Sequence, residues 1–198
     1  MTIAVHPVTK SRWDDMVELF GWDRGAGGCW CMWFRVSQRE FSDNRNPGNR
    51  TAMKAIVDED RVPGLLAYLD GEPVGWVSLA PREEFPRIER SRILQPVDDK
   101  PVWSIVCFYI HRGHRGQRVG TALLRAAIDH ARDRGARTLE AYPVDTTRRR
   151  IDNASAFVGT MAMFEAVGFR EVARRSDRRP IMRRGLRPRR GPRPTARR

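Results

Sequence analysis

The stretch Cys107-Phe-Tyr-Ile-His-Arg-Gly-His-Arg-Gly-Gln-Arg-Val-Gly-Thr-Ala-Leu-Leu124 carries the strongest structural signal in this chain. Its first residues end the apolar run Val102–Ile110, which predicts a strand buried on both faces near the middle of a sheet. Glycines interrupt the chain after it, and an apolar stripe from Val119 to Arg134 then predicts a helix that Gly135 ends. A buried strand therefore leads through a glycine-containing loop directly into a helix.

A loop of this kind is a favourable place for an anion. It turns several backbone N–H groups toward one point at the positive end of a helix dipole, which suits phosphate or pyrophosphate. The spacing of Gly113, Gly116 and Gly120 is G-x-x-G-x-x-x-G, which matches neither the dinucleotide fingerprint nor a Walker loop. The alternative interpretation is a strand-to-helix turn that binds nothing.

The rest of the chain alternates strand and helix patterns, which favours one α/β or α+β domain. Asp70-Gly71 between two apolar runs predicts a β-hairpin, and Ser11 with Asp14 predicts a capping box at the start of a helix. The predicted helices are residues 11–20, Asn49–Val57, Val119–Arg134 and Phe157–Val167. The predicted strands are Leu65–Leu69, Val74–Leu79, Val102–Ile110, Arg137–Tyr142, Phe169–Arg174 and Ile181–Arg183.

Composition limits the class of protein. The 198 residues are 40% hydrophobic and 31% charged, as expected for one folded domain. No apolar run approaches the roughly 20 residues of a membrane span, and Pro7, Lys10 and Arg12 interrupt the N-terminal region before a secretory signal forms. The 3 cysteines cannot form a closed set of disulfides. We therefore expect a protein without a membrane partner, in a reducing cytoplasm.

The formal net charge of +13 is concentrated at the C-terminus. Eight arginines and no acidic residue lie in Arg183–Arg198, so the remaining residues carry only +5. Prolines and glycines make this stretch a poor helix or strand, which predicts a folded domain over residues 1–183 and a disordered basic tail over residues 184–198. Such a tail is able to contact nucleic acid or an acidic membrane surface; the alternative is a solvated terminus without a partner.

Two motifs resemble those of the GNAT acetyltransferase superfamily. Arg115-Gly-Gln-Arg-Val-Gly120 is similar to the R/Q-x-x-G-x-G/A loop that wraps the pyrophosphate of acetyl-CoA in that family. Ala162-Met-Phe-Glu-Ala-Val-Gly-Phe169 is similar to its late helix and the strand after it, and the resemblance covers roughly residues 2–183. It implies a single domain with a mixed, mostly antiparallel central sheet flanked by helices.

The activity that the resemblance implies is N-acetylation. An acetyl group would pass directly from acetyl-CoA, the co-substrate, to a primary amine of an unknown acceptor, which is a small molecule or a protein. A homodimer is implied by family habit. The two alternatives are a GNAT-like domain that binds CoA with little catalysis and a protein that binds nucleic acid through its basic tail.

The resemblance also implies which residues hold the co-substrate. Phe108, Tyr109 and Ile110 would form the strand edge that pairs with the pantetheine arm, and an N–H group there would polarise the thioester carbonyl. The residues implied to surround the pyrophosphate are Arg115, Gly116, Gln117, Arg118, Val119, Gly120 and Thr121.

The sequence departs from the family pattern at three positions. Arg118 stands where the family usually has glycine. Phe164 stands where many members have the tyrosine that protonates the leaving thiolate, and Ser104 where some have a glutamate base. The candidate acid–base residues that remain are Glu83, Glu84, Tyr142 and Asp145, with Glu84 preferred as the base, and Ser104 would order a water.

An aromatic, cysteine-containing stretch, Cys29-Trp-Cys-Met-Trp-Phe34, follows the first predicted helix. The family shapes its acceptor pocket in this region, so the resemblance implies that Trp30, Trp33 and Phe34 form an aromatic wall for the acceptor. The alternative is that they pack in the core. Cys29 and Cys31 lack the further ligands at finger-like spacing that a zinc site needs, so we predict no metal.

Overall fold

The computed structural model describes residues 2–21, 28–147 and 155–188, and the elements named here belong to those ranges. The strands are β1 Ile3–Pro7, β2 Gly64–Leu69, β3 Glu72–Pro81, β4 Trp103–Ile110, β5 Thr138–Ala141, β6 Arg170–Arg174 and β7 Pro180–Gly185. The helices are α1 Trp13–Phe20, α2 Gln38–Asp58, α3 Pro86–Glu89, α4 Val119–Asp133 and α5 Met161–Glu165.

All these strands form one sheet in the order β1-β2-β3-β4-β5-β7-β6. Neighbouring strands are antiparallel except β4 and β5, which are parallel. The N-terminal and C-terminal parts of the chain therefore meet at this one parallel pair. The predicted fold class, a mixed and mostly antiparallel sheet flanked by helices, is confirmed.

Helices cover both faces of the sheet. On one face, Leu123 of α4 and Phe164 of α5 belong to an apolar cluster that also contains Val77 of β3. On the other face, Met16 of α1 packs in a cluster with Trp76 of β3. Trp76 and Val77 are neighbours in one strand and point to opposite sides, which assigns the two groups of helices to opposite faces.

The predicted hairpin and central strand are confirmed. β2 and β3 pair antiparallel across Asp70 and Gly71, whose φ angles of 51° and 90° are those of a tight hairpin turn. β4 lies between β3 and β5. Its register with β3 shifts because Cys107 faces Ser78 while Ile105 faces Leu79, which leaves one unpaired residue between them as a β-bulge.

The start of the chain differs from its prediction in two ways. β1 pairs with β2 at the edge of the sheet, and the sequence analysis placed no strand there. The predicted capping box at Ser11 is wrong, because a 3-10 turn over residues 10–12 precedes α1 and the N-cap position is Arg12. A capping box does begin α2, where Ser37 and Glu40 bond reciprocally to each other's backbone N–H groups.

Two helices differ from their predicted bounds. The predicted helix Asn49–Val57 is the second part of α2, which starts at Gln38 and is interrupted at Arg45, where φ is 44°. The predicted helix Phe157–Val167 breaks at Gly159, where φ is 78°. A 3-10 turn over residues 155–158 precedes this break and the shorter α5 follows it.

The C-terminal boundary of the fold lies slightly beyond its predicted place. β7 continues to Gly185, and the buried Leu186 donates its N–H to the Arg137 carbonyl at 2.8 Å. Residues 189–198, most of the predicted basic tail, lie outside the described residues. In the described ranges no helix has the length and apolar character that crossing a membrane requires.

Candidate active site

The glycine-containing loop joins β4 to α4. A 3-10 turn, Arg112–His114, follows β4, and the chain enters α4 at Val119. Gly116 has a φ of 77°, in the left-handed region that glycine adopts at little cost. The Gln117 side-chain amide donates to the Gly113 carbonyl at 3.2 Å and thereby braces the loop.

This loop presents backbone donors and positive charge at one place. The N–H groups of the first turn of α4, residues 119–121, have no carbonyl of a preceding turn to accept from them. Arg112, Arg115 and Arg118 are exposed next to this turn. The helix dipole adds further positive potential. The arrangement suits a phosphate or pyrophosphate group, in agreement with the loop chemistry expected from the sequence.

Gly120 brings the start of α4 close to the end of β4. A Cβ atom at this position would lie 3.3 Å from Cδ1 of Ile110 and 3.6 Å from Sδ of Met163. The Arg115 side chain reaches the same strand end, since its Nε donates to the Ile110 carbonyl at 3.3 Å. The anion-binding turn and the last residue of β4 are therefore adjacent.

Arg118 occupies the N-cap of α4 in the left-handed region, with φ at 64° and ψ at 11°. Its side chain makes no capping hydrogen bond. A residue with a Cβ is strained there, whereas the glycine usual in the family is not. The chain therefore keeps the loop conformation and adds a guanidinium beside the anion site at a cost in backbone strain.

Replacing Arg118 with glycine should raise the free energy of unfolding by about 1 kcal/mol, because glycine adopts this φ without the cost that a Cβ imposes. Alanine removes the guanidinium but keeps the Cβ, so the alanine variant should not show this gain. Urea unfolding of the two variants and of the unmodified protein measures the difference. Equal stabilities of the glycine and alanine variants would contradict the explanation.

β4 and β5 separate at one end. Their pairing extends from Trp103 and Leu139 to Ile105 and Ala141. Among the described residues, no strand pairs with β4 on that side after Ile105. We call the opening between residues 106–110 and the chain after Ala141 the β4–β5 cleft. The bulge at Val106 lies where the two strands diverge.

Backbone groups of β4 face this cleft. His111 donates its N–H to the Val74 carbonyl at 2.9 Å, so its backbone is directed toward β3. The side to which a residue points its backbone N–H and C=O groups alternates along a strand. Tyr109 therefore also points these groups toward β3, while Phe108 and Ile110 point theirs into the cleft. A ligand arm lying in the cleft would meet these groups as another strand does.

The sequence that contains this loop and cleft matches one family model. A family model described as the acetyltransferase (GNAT) family matches residues 30–169. The chain belongs to the GNAT acetyltransferase family. No curated protein sequence is significantly similar to this GNAT chain.

Solved structures share the GNAT fold at low sequence identity. An N-acetyltransferase from Staphylococcus aureus Mu50 has a TM-score of 0.56 and 11% identity, over 94% of this chain and 100% of that one. PaiA N-acetyltransferase from Thermoplasma acidophilum, in complex with coenzyme A, has a TM-score of 0.53 and 11% identity, over 94% of this chain and 100% of that one. The GNAT domain of S. lividans PAT has a TM-score of 0.52 and 18% identity, over 94% of this chain and 92% of that one. These similarities establish the fold alone.

A pocket of about 420 Å³ opens on the face of the sheet opposite α4. Its lining residues are Trp33, Phe34, Val36, Ser37, Gln38, Pro86, Arg87, Arg90, Ser91, Leu94, Phe157 and Arg179. Phe34 belongs to the apolar cluster that also contains Val106 and Tyr142, and Phe157 packs against that cluster. The volume is that of a site for a small molecule.

The predicted aromatic wall divides between this pocket and the core. Trp33 and Phe34 line the pocket. Trp30 is buried and does not line it: its ring lies 5.3 Å from that of Phe20 and 5.9 Å from that of Trp13, stacked on both. For Trp30 the core-packing alternative therefore describes its position.

Ser104 and Tyr142 belong to a buried polar network. The Tyr142 hydroxyl donates to Oε1 of Glu140 at 2.6 Å and lies 3.0 Å from the Ser104 hydroxyl. Nε of Arg183 donates to the other Glu140 oxygen, Oε2, at 2.6 Å. Burial and the Glu140 carboxylate raise the pKa of Tyr142 well above its usual value, so its hydroxyl stays protonated. These positions favour a structural role over the catalytic roles predicted for Ser104 and Tyr142.

Glu84 is held by two arginines. Its Oε2 accepts from Nη1 of Arg35 and Nη2 of Arg61, each at 2.7 Å. The Arg35 side chain is buried and also donates to the Pro63 carbonyl at 3.2 Å. Glu84 is not among the residues that line the pocket. Its position favours a role in anchoring Arg35 rather than the predicted role of base.

The sequence analysis missed two of the arginines that line the pocket, Arg87 and Arg179. They lie far apart in the sequence: Arg87 is in α3, between β3 and β4, and Arg179 is in the turn between β6 and β7. Neither has a local motif around it, so only the fold brings them together. Within the described ranges, no three potential ligands are grouped closely enough to hold a metal ion.

Proposed function

We propose that this protein transfers an acetyl group from acetyl-CoA to a primary amine of a small molecule. The observation that carries the proposal is the position of the β4–β5 cleft between the donor-rich loop and the pocket. Gly120 brings the loop close to the Ile110 end of β4, and the pocket residues Phe34 and Phe157 pack in or against the apolar cluster that contains Val106. A two-substrate reaction needs such a shared point between two binding sites.

The loop fits the pyrophosphate of CoA. In the proposal, the N–H groups of residues 117–121 bind its oxygens, and Arg115 and Arg118 add charge from the rim. The absence of a Cβ at Gly120 lets the first turn of α4 lie close to the end of β4, since a Cβ there would come within 3.3 Å of Cδ1 of Ile110. Phe108 and Ile110 would pair through their backbone with the pantetheine arm in the cleft.

Bound acetyl-CoA would supply the activated thioester. The chain would hold the acetyl carbonyl against an N–H group of Phe108 or Ile110, which stabilises the negative charge that develops on the oxygen. The acceptor amine, held in the pocket, forms the new C–N bond as the C–S bond breaks. The nitrogen loses one proton and the leaving sulfur gains one, so CoA leaves as a thiol. Placing the amine next to the carbonyl accounts for much of the rate in a direct transfer.

Acetyl-CoA at 100 times its Kd should raise the free energy of unfolding by about 2.7 kcal/mol, because only the folded chain binds it. Thermal unfolding with and without acetyl-CoA measures this gain. Release of free thiol from acetyl-CoA across a panel of primary amines then measures transfer. Absence of a shift at millimolar acetyl-CoA would overturn the assignment of the co-substrate.

A second candidate function is CoA binding with little catalysis. Phe164 is fully buried and has no proton to donate, and no described residue that lines the pocket carries a carboxylate. A thermal shift with acetyl-CoA but no thiol release with any amine would favour this function. The predicted homodimer, the contact of residues 184–198 with nucleic acid and the cytoplasmic location stay predictions.

A further inference from the structure

We infer that the acceptor carries an oxyanion group, a carboxylate or a phosphate, on an apolar or aromatic body, and that Arg87 and Arg179 bind this group. The inference rests on the proposed function, since it names the class of substrate that the pocket takes. The pocket would then select amines that are also acids.

The charge of the lining has one sign. Arg87, Arg90 and Arg179 line the pocket, and among the described residues no acidic side chain lines it. In the part of the chain that the structure describes, Arg87 and Arg179 make no ion pair. Arg90 is exposed, so solvent and salt screen its charge. The uncompensated charge of the pocket therefore belongs to Arg87 and Arg179.

Arg87 is fixed in place but keeps free donors. Its guanidinium carbon lies 3.6 Å from the centre of the Trp33 ring. Nη1 donates to the Trp33 carbonyl at 3.0 Å, and Nη2 donates to Oε1 of Gln38 at 3.1 Å. A guanidinium has five N–H groups, so these two contacts orient the side chain and leave others for a ligand.

Arg179 is tied to the strand that borders the cleft. Its Nη2 donates to the carbonyl of Tyr142, the residue that follows β5, at 3.0 Å. Its Nε is buried and has no hydrogen-bond partner in the described residues. Burial lowers the pKa of Arg179, and it also lowers that of Arg87. A desolvated guanidinium without a carboxylate partner is costly, and a bound oxyanion would offset that cost.

The apolar part of the lining describes the rest of the acceptor. Trp33, Phe34, Leu94 and Phe157 form walls that suit an aromatic ring or a compact apolar body. Phe34 and Phe157 lie toward the cleft, where the amine must be acetylated. The acceptor therefore carries its amine toward the cleft and its acid group toward the arginines.

Two pairs of amines test this inference. In 4-(aminomethyl)benzoate and 4-methylbenzylamine the amine is the same and only one has a carboxylate; O-phosphotyramine and tyramine differ by a phosphate. The acidic member of at least one pair should have a kcat/KM about tenfold or more above that of its neutral partner. The pair with the larger ratio distinguishes carboxylate from phosphate.

Arg179→Gln should reduce this ratio to near one, because it removes the guanidinium proposed to bind the acid group, whereas Arg178→Gln should leave the ratio unchanged. Arg178→Gln is the matched control, because Arg178 is the exposed neighbour in the same turn and does not line the pocket. Arg179→Lys keeps a charge without the planar guanidinium and should show an intermediate ratio. It also serves as the test variant where the glutamine variant does not fold.

Equal kcat/KM values for acidic and neutral amines in the unmodified protein would overturn the inference and leave the acetyltransferase intact. Calorimetric titration of benzoate and phenyl phosphate gives a readout that does not need acetyl transfer. Binding that is lost in Arg179→Gln and retained in Arg178→Gln supports the inference, even where acetyl-CoA fails to bind and the proposed function falls. Absence of binding of both probes to the unmodified protein contradicts it.

Discussion

Replacing Thr121 with aspartate should weaken acetyl-CoA binding by at least about 100-fold while the fold stays intact. Thr121 lies in the first turn of α4, where the free N–H groups are proposed to bind the pyrophosphate. A carboxylate there would stand a few ångströms from the phosphate oxygens, and like charges at about 4 Å repel by several kcal/mol near a protein surface.

The same carboxylate is favourable in the absence of a ligand. A negative charge in the first turn of a helix typically stabilises it by about 0.3–1 kcal/mol. Thr121→Asp therefore separates a loss of binding from a loss of folding, and urea unfolding should show an unchanged or slightly higher stability.

Thr121→Asn is the matched control, since asparagine has nearly the shape of aspartate without its charge. Calorimetric titration of CoA and acetyl-CoA into the three proteins measures the effect. The asparagine variant should bind within a few-fold of the unmodified protein. If the aspartate variant binds acetyl-CoA as tightly as the asparagine variant, the pyrophosphate does not lie at this turn.

The segment from β4 through the loop to α4 was predictable because its signals are local. An apolar run, glycines and an amphipathic stripe each lie within a few residues of the feature they specify. The path of this loop into α4 requires a left-handed φ at residue 118. The backbone is strained there because Arg118 has a Cβ at a position that suits glycine.

The details of the site depend on contacts that span the chain. The bulge at Val106 is a matter of register between β3 and β4, and no residue type at that position requires it. Trp30 and Trp33 are three positions apart and similar in character, yet Trp30 packs against α1 and Trp33 lines the pocket. Arg179 meets the pocket only through the strand order at the C-terminal side of the sheet.

β1 shows a different kind of limit. Ile3–Pro7 is a short edge strand that ends at a proline, and its burial alternates between intermediate and exposed. Such a strand has a weak apolar pattern in its sequence, so its hydrogen bonds to β2, rather than its residue types, determine that it is a strand. Similarly, Ser104 and Tyr142 are 38 positions apart, so only the parallel pairing of β4 with β5 brings their hydroxyl groups together.

Replacing Glu140 with alanine should lower the free energy of unfolding by about 3–5 kcal/mol, the usual cost of breaking a buried ion pair. Glu140 is fully buried on β5 and accepts from the Tyr142 hydroxyl and from Arg183, each at 2.6 Å. Without it, the Tyr142 hydroxyl keeps only Ser104, and the partly buried Arg183 keeps only its contact with Asp98 at 2.8 Å.

Glu140→Gln keeps the side-chain shape and one acceptor oxygen, so it should cost less than the alanine variant. Tyr142→Phe should cost about 1–2 kcal/mol because it removes the buried hydrogen bonds of the hydroxyl to Glu140 and Ser104, and it should keep kcat within a few-fold if Tyr142 is structural. Urea unfolding and thiol release, measured well below each unfolding midpoint, separate the two effects. A 100-fold loss of kcat in a folded Tyr142→Phe variant would return Tyr142 to the catalytic residues. A Glu140→Ala variant within about 1 kcal/mol of the unmodified protein would show that the buried contacts of Glu140 contribute little to stability.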